Sequence, residues 1–313
     1  MKRGVLKAST IAATLMLAAN AGHAADAPKI GMSVGSLGHP FFVATIKGAT
    51  DEAKEINPSA TLTSVASDWD LNKQDGQIDS FISAGSNLIL LNAADPKAIA
   101  PAVARAKAKG IIVAAFDVAA EGADVTVMTN NKKAGALSCE ELANQIGKKG
   151  QVVVIGGPPV TSVTDRVAGC LKALKAFPDV KVTFDKQNPG ASRDGGFSAM
   201  QAYITRFPKI DGVFAINDEQ AIGANLAAKQ QTRSEMKIAS VDGSPEVVNM
   251  LREGSTLIIA TSAQDPFGMA VEAVKLGWDA VQGKKPENPV VLLEPKLVTA
   301  ANAKEVEGWR QSK

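Results

Sequence analysis

Short apolar runs alternate with amphipathic segments along almost the whole chain, and this rhythm restricts the fold more than any other feature. The runs cover residues 29–36, 60–66, 88–92, 111–117, 124–128, 151–156, 180–185, 212–217, 237–242 and 257–262. Between most of them apolar residues recur at helical spacing, as over residues 98–108, 134–146 and 266–281. Strand–helix alternation predicts an α/β fold of parallel sheets with right-handed crossovers. The runs are apolar throughout, as expected when helices cover both faces of a sheet. Two doubly wound sheets of about six strands each fit domain-size priors better than one large sheet. The break between lobes is expected near residues 127–131, because the runs 111–117 and 124–128 follow each other without a helix.

The first residues read as a targeting segment. Lys2, Arg3 and Lys7 form a basic start, residues 11–19 are apolar, and Gly22-His23-Ala24 offers small residues to a signal peptidase. A secretory signal over residues 1–24 is therefore expected, with export to the periplasm. Its removal leaves 31 basic and 32 acidic residues, a formal net charge of −1. No basic surplus remains for phosphate backbones, and nucleic acid is not expected as a partner. The remaining 289 residues suit two domains. Cys139 and Cys170 are too few for a disulfide scaffold. In an oxidising compartment they form either one bridge or two buried thiols. With His23 in the signal, His39 is the one His of the mature chain, which argues against a His-rich metal site. Nothing in the sequence calls for a metal or cofactor.

Polar residues gather at the carboxyl ends of the predicted strands, the rim where ligands bind in open α/β sheets. The first run leads into Gly35-Ser36-Leu37-Gly38-His39-Pro40-Phe41-Phe42, a Gly-rich turn with one polar ring and two aromatic plates. Asn92, Asp117, Asn217, Asp242 and Gln264 end later runs, and Trp69 follows the second. Each has a plainer reading: the Phe residues as core under the first helix, Trp69 as a cap on the core edge, and the polar residues as helix N-caps. In register, they would line a cleft with fixed donors and acceptors for hydroxyls, opposite apolar plates for sugar C–H faces. Arg166 adds a bidentate donor fork, or is a surface Arg near a helix start.

Signatures of catalysis are missing. Gly31, Gly35 and Gly38 have the wrong spacing for a dinucleotide turn, and Gly156-Gly157-Pro158-Pro159 lacks the Lys of a phosphate loop. Gly31-Met32-Ser33-Val34-Gly35 has the letters of Gly-x-Ser-x-Gly but lies within the first apolar run, not at a strand-to-helix elbow. The adjacent Asp218 and Glu219 suit the positive end of a helix dipole.

Eight motifs in order carry a family resemblance. They are Gly-His-Pro-Phe-Phe (38–42), Leu-Leu-Asn-Ala-Ala-Asp (90–95), Phe-Asp (116–117), Thr-Asn-Asn (129–131), Arg166 with Gly169, Phe-Ala-Ile-Asn-Asp-Glu (214–219), Val-Asp-Gly-Ser-Pro (241–245) and Ala-Gln-Asp-Pro (263–266). From about Lys29 to about Pro295 the chain resembles the ribose-binding-protein branch of the periplasmic sugar-binding proteins, which serve ABC transporters. The resemblance implies two lobes that close on a ligand and are joined by three crossovers, near residues 128–131, 262–264 and 285–288. One lobe would hold residues 25–128 and 264–285, the other 129–263 and 286–313. It implies that Phe41 or Phe42 stacks on a sugar, and that His39, Asn92, Asp117, Arg166, Asn217, Asp242 and Gln264 bond its hydroxyls. His39 stands where the ribose binder has Asn. The ribose binder also has Arg where Val118 stands, and a second-lobe aromatic where Ala191 or Ser192 aligns. A different pentose or a sugar alcohol is therefore expected, with Trp69 as the replacement plate. An ABC permease is the implied partner, and a monomer is expected. The alternative role is presenting ligand to a chemoreceptor or sensor kinase. An exported enzyme is a further alternative. Repressors of the lactose-repressor family share this core, but no helix-turn-helix segment precedes Lys29.

Overall fold

The computed structural model describes residues 27–254, 256–306 and 308–309. The expected signal segment lies outside the described residues.

The first lobe begins with strands β1 (Lys29–Val34), β2 (Thr61–Ala66), β3 (Leu88–Leu91), β4 (Ile112–Phe116) and β5 (Val125–Thr129), separated by helices α1 (Pro40–Ile56), α2 (Leu71–Ser83) and α3 (Ala100–Ala108). No helix lies between β4 and β5, and after β5 the chain leaves for the second lobe. That lobe runs α4 (Asn131–Gln145), β6 (Gly150–Ile155), α5 (Thr161–Leu174), β7 (Val180–Thr183), α6 (Arg193–Arg206), β8 (Gly212–Ala215), α7 (Asp218–Gln230), β9 (Lys237–Asp242), α8 (Pro245–Glu253) and β10 (Ile258–Ala263). The chain then returns through α9 (Pro266–Val281) and β11 (Val290–Leu293), and ends its strands with β12 (Lys296–Thr299).

Two six-stranded sheets result, ordered β11-β5-β4-β3-β1-β2 and β12-β10-β9-β8-β6-β7. All neighbours pair in parallel except β10 with β12. The apolar runs follow from this. Leu88 and Leu90 face the core under α1 and α9, while Ile89 and Leu91 face the core under α2 and α3. Val152 and Val154 likewise face the α4 and α5 side, and Val153 and Ile155 the α6, α7 and α8 side. A strand covered on both faces has no polar side to show.

The last crossover is not where the resemblance puts it. Instead of crossing at residues 285–288, the chain stays with the first sheet: Val290 to Leu293 pair in parallel with Thr126 to Thr129. The next strand pairs antiparallel with β10. The crossing is therefore at Glu294 and Pro295, and residues 290–293 belong to the first lobe. Both strands are short edges with half-exposed residues, so their local pattern does not say which sheet they join.

Candidate ligand-binding cleft

The carboxyl ends of both sheets face a cavity of about 310 Å³ between the lobes. His39, Phe41, Phe42, Trp69, Asp117, Arg166, Asn217, Asp242 and Gln264 all line it. Asn92 does not. Its Nδ2 donates to Asp117 Oδ2 at 2.9 Å from behind the wall, so it orients the carboxylate instead of meeting a ligand directly.

The aromatic wall comes from the first lobe. Pro40 opens α1, and the His39 side chain caps it, with Nδ1 accepting from the Phe41 amide at 3.2 Å. Phe41 and Phe42 are both buried, and both also line the cavity. They are thus core residues that also form part of the cavity wall. Their rings meet edge to face at 5.4 Å, and Trp69 lies 6.0 Å from Phe42. Two consecutive left-handed residues, Asp68 (φ 54°) and Trp69 (φ 61°), turn the loop after β2 back over β1. The indole then rests on Gly35, where a Cβ would sit 2.3 Å from the ring. Trp69 therefore flanks Phe42 on the same lobe. The second lobe faces these rings with Pro158, Val160, Val163 and Ile216, and with Gly190, Ala191 and Ser192.

The polar floor is contributed by both lobes. Asp117, at the end of β4, has a left-handed backbone (φ 59°), and Asp242, at the end of β9, has φ 137°. Non-glycine residues in such conformations persist where the surrounding structure holds them, commonly at functional sites. Arg166 is buried on α5, donating from Nε to Asn131 Oδ1 (2.8 Å) and from Nη1 to the Ile216 carbonyl (2.8 Å) and Asp242 Oδ1 (3.4 Å). Its position depends on close helix packing. Gly135 of α4 lies against the Arg166 carbonyl and Gly169 of α5 against the Lys132 carbonyl, each closer than any Cβ would allow. The disulfide Cys139–Cys170 joins the same two helices, with Cα atoms 5.1 Å apart. This decides between the bridge and the two thiols.

One buried guanidinium serves more than one carboxylate. Burial pushes the Asp117 carboxyl up to about 6, against the Arg166 charge and the Asn92 hydrogen bond. Burial pushes Asp242 up to about 8; Arg166 opposes this, and the nearby Asp218 adds to it. Asp218 lies beneath the floor. It accepts from Ser240 Oγ (2.6 Å), Thr261 Oγ1 (2.7 Å) and the Ser244 amide (2.7 Å), a bracing role that the sequence reading of a helix-dipole partner missed. Gln264 donates to Asp242 Oδ1 at 2.7 Å, and its own Oε1 is buried without a partner. That oxygen can accept from a bound hydroxyl.

His39 also joins the lobes. Its Nδ1 is an acceptor, so in the neutral ring Nε2 carries the proton. Nε2 lies 3.4 Å from Asn217 Nδ2, whose orientation is set because Oδ1 caps α7 and Nδ2 donates to the Ala191 carbonyl at 3.0 Å. The Ala191 carbonyl also accepts from the imidazole. Burial lowers the His39 pKa, opposed by Glu219 and lowered further by Arg166, so the ring is neutral at pH 7. A second link runs from the Ala119 amide to Thr161 Oγ1 at 3.0 Å. The lobes thus touch across the cleft.

A family model described as the periplasmic binding protein domain matches residues 30–285. The chain belongs to the periplasmic binding protein family. It is 31% identical to a D-apiose import binding protein of Actinobacillus succinogenes, over 99% of both chains. It is also 31% identical to a xylitol-binding protein of Mycolicibacterium smegmatis, over 84% of this chain and 76% of that one. Among solved structures, an ABC transporter solute binding protein from Mycobacterium smegmatis with bound glycerol superposes with a TM-score of 0.85 at 29% identity, covering 91% of this chain and 98% of that one. The architecture is that of the solved relative over nearly its whole length.

Proposed function

We propose that this protein captures a small neutral carbohydrate, a pentose or a sugar alcohol, between its lobes in the periplasm and delivers it to an ABC permease. The observation that carries the reading is the composition of the cleft: aromatic plates from one lobe, and buried hydroxyl acceptors, Asp117 and Asp242, from both. A polyhydroxy compound presents an apolar C–H face to the plates and donors to the carboxylates. Each lobe alone offers half of these contacts, so ligand favours the closed form. The cavity is near the lower end of the ~300–1,000 Å³ range of ligand pockets, which suits a small molecule. The surplus of buried carboxylates over Arg166 disfavours sugar acids and sugar phosphates. Val118 in place of a charged donor, and Ala191 and Ser192 in place of a plate, argue against ribose itself. The names of the apiose and xylitol relatives fit the same ligand class.

A thermal-shift panel of D-apiose, D-ribose, xylitol, D-glucose and glycerol tests this. A pentose or polyol at about 100 times its Kd stabilises the protein by ~2.7 kcal/mol, a clear rise in Tm. No shift with any of them would sink the proposal.

A further inference from the structure

We propose that Trp309 is a positioning residue for the cleft, tying the Phe41 plate to the strained Asp242 acceptor. The inference rests on the cleft being the ligand site.

Trp309 lies outside every motif that carries the family resemblance and does not line the cavity. It is nonetheless buried, in the first-lobe core that holds Met32, Val34, Phe41 and Phe42. Its ring meets Phe41 edge to face at 5.9 Å and 83°, so it backs a plate whose exposed side is the cavity wall. Its Nε1 donates to the Asp242 carbonyl at 2.8 Å. One side chain near the end of the chain thus touches the plate of one lobe and the acceptor strand of the other. Gly308, with φ 77°, turns the chain past Pro245 to bring it there.

The bond to Asp242 acts on a strained residue. At φ 137° a non-glycine backbone needs outside restraint. The Asp242 carbonyl has two donors, the Gln264 amide at 2.9 Å and the Trp309 indole. Its carboxylate Oδ1 has two more, Gln264 Nε2 and Arg166 Nη1. Of the two donors to the carbonyl, the indole is the one supplied from outside the strand ends. Without it, the peptide after Asp242 regains freedom, and the carboxylate no longer keeps a fixed position relative to Phe41. Misplacement of one contact relative to another weakens a ligand that must reach both.

The decisive variant is Trp309→Phe, which keeps a ring against Phe41 and removes the donor. Trp278→Phe, a buried Trp of α9 remote from the strand ends, is the stability control. In ligand-free protein, amide exchange at Gly243 and Gln264 should rise about tenfold in Trp309→Phe. It should stay unchanged there in Trp278→Phe, and at Leu88 to Leu91 in both. By calorimetry with xylitol, Trp309→Phe should bind about tenfold more weakly than wild type. Trp278→Phe should bind within twofold of wild type. Unchanged exchange at Gly243 and Gln264, or xylitol affinity within twofold of wild type, overturns the proposal. If wild type itself does not bind xylitol, the polyol reading fails on that probe, and the exchange measurement alone decides the role of Trp309.

Discussion

At the scale of single residues the buried carboxylates of the cleft cost stability as they ionise. A folded-state pKa above the ordinary carboxylate value means that the ligand-free protein holds protons the unfolded chain has released. For Asp242 the stability this represents is full below about 3.8 and is lost as pH rises toward about 8. Asp117 behaves in the same way up to about 6. Asp242→Asn removes the buried charge and is expected to raise the Tm of ligand-free protein. The gain should grow between pH 5 and pH 8.5. A Tm difference independent of pH would contradict it. The same change should weaken xylitol binding at least ~tenfold, since an acceptor of hydroxyl protons becomes half donor. The sequence marks these residues as rim polar groups but not their division of labour. Asn217 is both N-cap and wall, whereas Asn92 is a second layer behind Asp117. Both end apolar runs in the same way, and only the direction of each side chain separates them.

At the scale of elements, the placement of Arg166 is the work of α4 and α5 together. Their backbones touch through Gly135 and Gly169, and the Cys139–Cys170 bridge closes a loop across a sequence separation of 31. Chain-entropy arguments give such a loop ~3–4 kcal/mol. Replacing both cysteines by alanine should therefore cost about that much in a denaturant titration. A loss under about 1 kcal/mol would show that the helix contact alone holds the pair. Strands and helices with long periodic patterns are legible in the sequence, and ten of the strand-like runs correspond to β1–β10 within a few residues. β11 and β12 are not. Four residues each, half-exposed, and separated only by Glu294 and Pro295, they acquire their identity from different partners, β5 and β10. The first and last crossovers also meet: the Asn130 amide donates to the Leu293 carbonyl at 2.8 Å, and Lys133 pairs with Glu294.

At the scale of the whole molecule, polar contacts between the lobes include His39 beside Asn217 and Ala191, Ala119 to Thr161, and Trp309 to Asp242. The proposed function requires ligand to favour the closed form. Small-angle scattering should give a smaller radius of gyration with saturating xylitol than without it. Identical curves, with binding verified by calorimetry, would exclude closure on binding. The sequence by itself determined the α/β class, the two lobes, the first break and nearly all of the cleft wall, because strand-end position and hydrophobic period are local properties. Tertiary structure alone decided the sheet that each final strand joins, the disulfide, the layer in which Asn92 sits, and the meeting of Trp309 with Phe41 and Asp242. Each of these depends on a distance between segments far apart in the chain, and no local pattern encodes it. His39, Phe41 and Phe42 show the boundary between the two. Their place at the end of β1 is written in the chain, but that they line a cavity comes from the second lobe lying opposite.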